Sequence, residues 1–136
     1  MAQRRMKKIL LVDDEKTYVM SLSEGLRHIN GSFNVLTAED GEQAIKILKS
    51  ANVDLLLTDL KMPVMDGFEL LTYVLKTDPH MPVIVMTAFT NPDVLERLRK
   101  MGFSNYIEKP LEFDELVYRI RNLLNEGGNT CRQATC

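Results

Sequence analysis

The chain has 136 residues, close to the commonest length for one domain and enough to bury roughly two thirds of the unfolded surface. Lys plus Arg number 17 against 19 for Asp plus Glu, and a net charge of −2 excludes broad electrostatic attraction to nucleic acid or to an anionic membrane. No run of about eighteen apolar residues is present, and Arg4-Arg5-Met6-Lys7-Lys8 is followed by too few apolar residues for a signal sequence, so a cytoplasmic protein is expected.

Ile9 to Val12 is a first apolar strand, and it runs out into Asp13-Asp14. Val19, Leu22, Leu26 and Ile29 then recur at spacings of three and four, which predicts a helix with one inward face. Phe33 to Thr37 reads as a second strand. Asp40 and Gln43 form a capping-box-like start to a second helix, whose buried stripe is Ala44, Ile45, Leu48 and Ala51. Val53 to Thr58 is a third strand, too apolar for a sheet with a wet face, and it ends at Asp59. Asp66 caps a third helix with Glu69 as its partner; Phe68, Leu71, Val74 and Leu75 face inward before Pro79 and Pro82 forbid continuation.

Val83 to Thr87 is a fourth strand. Asn91-Pro92 opens a fourth helix with Val94, Leu95, Leu98 and Met101 inward, and Gly102 suits its left-handed C-terminal position. Asn105 to Ile107 is a short fifth strand leading to Lys109-Pro110. Phe113, Leu116, Val117, Ile120, Leu123 and Leu124 define the last helix, over which a domain of residues 1–125 ends. Residues 126–136 are expected to be a flexible tail; Cys131 and Cys136 lie there, where they can neither staple the core nor form a zinc site.

Apolar strands alternating with amphipathic helices indicate an α/β fold, a parallel sheet covered on both faces. With right-handed crossovers, a five-stranded doubly wound sheet of order 2-1-3-4-5 with five helices, flavodoxin-like, is expected. The carboxyl ends of such strands share one edge, where these folds bind their ligands. Asp13, Asp14, Asp59, Thr87 and Lys109 would therefore meet in one crevice. Three carboxylates, a hydroxyl and an ammonium suit a divalent cation together with a phosphate.

These residues resemble the receiver (phosphoacceptor) domain of bacterial two-component response regulators, similar to the single-domain chemotaxis regulator. The likeness runs from Lys7 to Asn125. It rests on Asp13-Asp14, on Asp59 followed by Lys61-Met-Pro-Val-Met-Asp-Gly67, on Thr87-Ala88 and on Lys109-Pro110, in that order and each at a strand end. The resemblance implies that Asp59 takes a phosphoryl group from the phosphohistidine of a sensor histidine kinase or phosphotransfer protein. It implies Mg2+ as cofactor, held by Asp14, Asp59 and the Lys61 carbonyl, with Asp13 acting through water. Thr87 and the Ala88 amide would bind phosphoryl oxygens, Lys109 would pair with Asp59 at rest, and the bond before Pro110 would be cis.

Further expectations follow from the same likeness. Thr87 moves toward the phosphoryl group, Tyr106 rotates inward, and the face of the fourth helix, fifth strand and fifth helix is remade. That face carries Arg97, Arg99, Lys100, Tyr106, Arg119 and Arg121, which suits an output partner with an acidic or mixed-charge surface, or a second receiver. Lys61 and Phe89 are expected to obstruct in-line water and so to slow loss of phosphate. The sequence admits two other readings: a small magnesium-dependent phosphatase of the haloacid dehalogenase type, whose opening motif Asp13-Asp14-Glu15-Lys16-Thr17 loosely matches, and a receiver-like scaffold that ignores phosphate. A receiver domain would catalyse only its own phosphorylation and dephosphorylation, and His28 and His80 are expected to be solvated bystanders.

Overall fold

The computed structural model describes residues 6–29, 33–62, 64–88 and 91–125; Phe89 and the expected tail with Cys131 and Cys136 lie outside the described residues. Strands β1 (Lys7–Val12), β2 (Phe33–Ala38), β3 (Leu55–Asp59), β4 (Val83–Thr87) and β5 (Tyr106–Glu108) alternate with helices α1 (Lys16–Arg27), α2 (Gly41–Ser50), α3 (Gly67–Thr77), α4 (Pro92–Met101) and α5 (Phe113–Asn125). All neighbouring strands are parallel, in the expected order β2-β1-β3-β4-β5. None of the described helices is long and apolar enough to cross a membrane.

The third strand starts at Leu55, not at Val53. Asp54 explains the shift: its amide donates to the Lys8 carbonyl at 2.8 Å, while its carboxylate accepts from the Lys8 amide at 2.7 Å. A side chain thus replaces a carbonyl in the first rung. The fifth strand is displaced by one residue, to Tyr106–Glu108, although the Asn105 carbonyl still accepts from the Val85 amide at 2.9 Å.

Alternation along the strands divides the core in two. Leu10, Val12, Leu56, Val83 and Val85 face one way and pack with Ala44, Leu70, Leu71, Val74 and Leu98 of α2, α3 and α4. Ile9, Leu11, Leu55, Leu57, Ile84, Met86 and Ile107 face the other way, against Leu22, Leu26, Leu116 and Ile120 of α1 and α5. The expected helix stripes are present; beyond them, Ser23 and Leu70 are buried, and Ile47 and Tyr73 pack half-buried. In α4 only Leu98 is fully buried.

The helix starts follow the sequence signals. Asp40 accepts from the Gln43 amide at 2.9 Å, but the Gln43 side chain reaches back to the Glu39 amide, one residue before the cap. Asp66 accepts from the Glu69 amide at 3.0 Å, and Asn91 accepts from the Asp93 amide at 2.7 Å. Gly102 ends α4 at φ 96°, the left-handed region that glycine enters without steric cost.

Candidate functional site

Two extra ladder rungs carry the sheet beyond its formal ends. The Asp13 amide donates to the Ala38 carbonyl at 3.1 Å, and the Lys109 amide donates to the Thr87 carbonyl at 2.8 Å. Asp13 therefore keeps the alternation of Ile9 and Leu11, Asp59 that of Leu55 and Leu57, and Lys109 that of Ile107. All three side chains issue on the α1 and α5 side and converge. Lys109 Nζ lies 2.7 Å from Asp13 Oδ2 and 3.0 Å from Asp59 Oδ2, and the three side chains are 13%, 1% and 12% exposed.

The other carboxylate oxygens are held by backbone. Asp59 Oδ1 accepts from the Leu60 amide at 2.6 Å and the Lys61 amide at 3.3 Å, and Asp13 Oδ1 accepts from the Glu15 amide at 3.0 Å. Capping does not account for the acidic pair, because Glu15 is the N-cap of α1 and no side chain caps it. Burial works against the Lys109 ammonium, but its hydrogen bonds to Asp13 and Asp59 and their charges outweigh that cost and raise its pKa.

Asp14 is exposed at the rim, and one carboxylate oxygen from each of Asp13, Asp14 and Asp59 lies within 4.8 Å of the others. An all-oxygen donor set with one open side fits a hard divalent cation such as Mg2+, which needs near-octahedral oxygen ligands and keeps several waters. The Lys61 side chain is exposed.

Thr87 is buried, and with Ala88, Asp59 and Lys61 it lines a groove of about 520 Å³ that runs on between α3 and α4 past Phe68, Val94 and Arg97. The Lys109-Pro110 bond is cis, as expected. Tyr106 is half-buried against the α2, α3 and α4 core, on the same side as its strand partner Val85. One glycine is required by close approach: a Cβ on Gly67 would sit 2.5 Å from the Asp59 carbonyl oxygen and 2.6 Å from Leu60 Cα. The motif that follows Asp59 includes Gly67, but its spacing does not show this close approach.

The basic face differs from expectation. Arg97 stacks on the Phe68 ring of α3 at 3.9 Å, so it faces the groove and not α5. Arg99 pairs with Glu96 at 2.7 Å, and Arg119 with Glu115 at 2.9 Å and with the Tyr106 carbonyl at 2.8 Å. Much of the positive charge is thus answered within the domain. His28 and His80 are exposed, as expected.

Tyr18 was missed. It lies half-buried on α1, with Lys109 Nζ 4.6 Å from its ring centroid. Its spacing of four from Leu22 and eight from Leu26 was the available signal, since it extends the inward stripe toward the strand ends.

Comparison with known proteins agrees with this geometry. The family model described as response regulator receiver domain matches residues 9–121. The heme response regulator HssR of Staphylococcus epidermidis is 38% identical over 115 residues, covering 85% of this chain and 50% of the relative. The transcriptional regulatory protein PrrA of Mycobacterium tuberculosis is 34% identical over 128 residues, covering 94% of this chain and 54% of the relative. The chain spans about half the length of these two curated relatives. Among solved structures, the response regulator protein TrrA from Thermotoga maritima in complex with Mg(2+)-BeF superposes with a TM-score of 0.78 at 34% identity, covering 88% of this chain and 100% of that one. The phosphatase reading is not favoured.

Proposed function

The chain belongs to the response regulator receiver domain family, and on that premise we propose that Asp59 is its phosphoacceptor, charged by a sensor histidine kinase or a phosphotransfer protein. One Asp59 carboxylate oxygen forms the new O–P bond as the N–P bond of the donor's phosphohistidine breaks, and the electron pair leaves with the imidazole. The observation that carries the reading is the position of Asp59: it ends a buried strand, meets an ammonium at 3.0 Å, and has a carboxylate oxygen within 4.8 Å of one from each of two further carboxylates.

The roles divide by charge. Asp13, Asp14, Asp59 and the Lys61 carbonyl would hold Mg2+, which when bound supplies charge neutralisation and a ligand position for a phosphoryl oxygen. Lys109 then moves its hydrogen bond from Asp59 Oδ2 to the phosphoryl group. Thr87 and the Ala88 amide donate to the remaining oxygens. The new charge of about −2 draws Thr87 inward, Tyr106 follows, and the α4, β5 and α5 face changes for an output partner or a second receiver. Lys61 and Phe89 restrict in-line water and prolong the phosphorylated state. We assign no other enzymatic turnover and place the domain in the cytoplasm.

Intact mass measured after exposure to acetyl phosphate and Mg2+ tests the assignment. The parent should gain one phosphoryl group and Asp59→Asn none; equal labelling of the two would refute it.

A further inference from the structure

Lys109 has three ammonium protons, and two of them serve Asp13 and Asp59. The third side of the ammonium faces the Tyr18 ring, 4.6 Å from its centroid. Phosphorylation changes both carboxylate contacts, because Asp59 becomes an acyl phosphate and a bound cation competes for Asp13. The ring contact is the one that neither event alters, since an aromatic face attracts a cation whatever the charge of its neighbours. The Tyr18 hydroxyl plays no part in holding the ring: it is buried with no hydrogen-bond partner among the described residues.

We propose that Tyr18 is a positioning residue for the phosphoryl transfer, its ring face holding the Lys109 ammonium in place while the carboxylate partners are exchanged for phosphoryl oxygen. The inference rests on the phosphoacceptor reading of Asp59 and deepens it. A flexible Lys stem carries several rotatable bonds, and a fixed third contact keeps its charge at the point where negative charge develops. Tyr18 reaches that point because α1 packs on the same side of the sheet from which Asp13, Asp59 and Lys109 issue. The orphaned hydroxyl makes a second expectation: its removal should leave the ring contact intact and cost the fold nothing.

The test compares Tyr18→Phe, Tyr18→Leu, Lys109→Met and the double variant Tyr18→Leu/Lys109→Met in the intact chain. Two readouts are taken: the rate of labelling by acetyl phosphate with Mg2+, and the NMR shift of the Lys109 ε-methylene protons, which a ring face moves upfield. Tyr18→Phe should retain the parental shift and label within about twofold of the parental rate. Tyr18→Leu should lose the shift and label about tenfold more slowly. In the Lys109→Met background, Tyr18→Leu should slow labelling no further, because Tyr18 acts only through Lys109. Parental labelling by Tyr18→Leu, an equal loss in Tyr18→Phe, or an undiminished effect in the absence of Lys109 would each overturn the inference. Absence of labelling in every protein, with the parental shift intact, would instead bring down the phosphoacceptor reading and this inference along with it.

Discussion

The two faces of the sheet end differently at the site. On the α1 and α5 side, the last side chains of β1, β3 and the rung after β5 are charged, and they form the closed trio Asp13, Asp59 and Lys109. On the α2, α3 and α4 side, the corresponding residues are Thr87, buried at the end of β4, and Tyr106 in β5; neither carries a charge, and Tyr106 packs against an apolar core. Period-two alternation alone keeps the sets apart, since Met86 and Thr87 are adjacent in sequence yet face opposite layers. On the reading proposed above, chemistry is lodged in one layer and its readout in the other, with the sheet edge as their common boundary. A phosphoryl group on Asp59, at the mouth of the groove that also reaches Thr87, would bridge them.

The largest effect should come from breaking the charged side. Lys109→Met leaves two nearly buried carboxylates without their cation, at a cost of about 3 kcal/mol in unfolding free energy. The sign with pH follows from the raised Lys109 pKa. Its contribution is complete below the unfolded value near 10.4 and disappears as pH rises through the higher folded value. Denaturant titrations of parent and variant should therefore differ by a constant amount from neutral pH to about pH 10 and converge above it.

Next in size is the joint between β3 and α3. Gly67→Ala drives a methyl group into the backbone at Asp59 and Leu60, where no flexible side chain can yield. A loss of about 2 kcal/mol is expected, together with slower labelling, because the displaced backbone carries Asp59, the proposed acceptor. Unchanged midpoint and unchanged labelling rate would show that the close approach is relaxed without cost.

Thr87→Val separates the two layers most directly. It keeps the buried shape, removes the hydroxyl and should cost about 1 kcal/mol or less. Asp59 should still label, while the shift of the Tyr106 ring resonances on adding beryllofluoride and Mg2+ should disappear. Loss of labelling together with retention of the Tyr106 response would reverse the division of roles proposed for the two faces.

Much of this arrangement was legible in the chain because the strands are short, strongly apolar and end abruptly. Asp13, Asp59, Thr87 and Lys109 are each the polar residue at or just beyond such a run, so strand order alone brings them to one edge. Caps at Asp40, Asp66 and Asn91 were equally plain, being local. What required coordinates was contact between elements. Arg97 belongs to an amphipathic helix whose rotation decides whether it meets α5 or α3, and its stacking on Phe68 depends on that rotation. Tyr18 and Lys109 stand 91 positions apart, and no local signal links them. Gly67 was visible only as the first residue after the Asp66 cap, because the tightness of its approach to Asp59 is a tertiary fact.

The smallest effect concerns Val64, in the loop that joins β3 to α3. It has φ 69° and is 72% exposed, so a β-branched side chain occupies the left-handed region with no packing to compensate. Local preference argues against this conformation, which makes the strain illegible in sequence. For an L-residue the penalty is about 1–2 kcal/mol, and asparagine avoids part of it by hydrogen bonding locally. Val64→Asn should accordingly raise the unfolding free energy by about 0.5–1 kcal/mol. The conformation also bears on the comparison of layers, since Val64 lies between Lys61, which borders the acceptor, and Asp66, which caps α3. If the loop serves only as a connection, the variant should be more stable and label at the parental rate. A more stable variant that labels more slowly would place the strained turn within the charged layer, as part of what aims the Lys61 carbonyl at the cation.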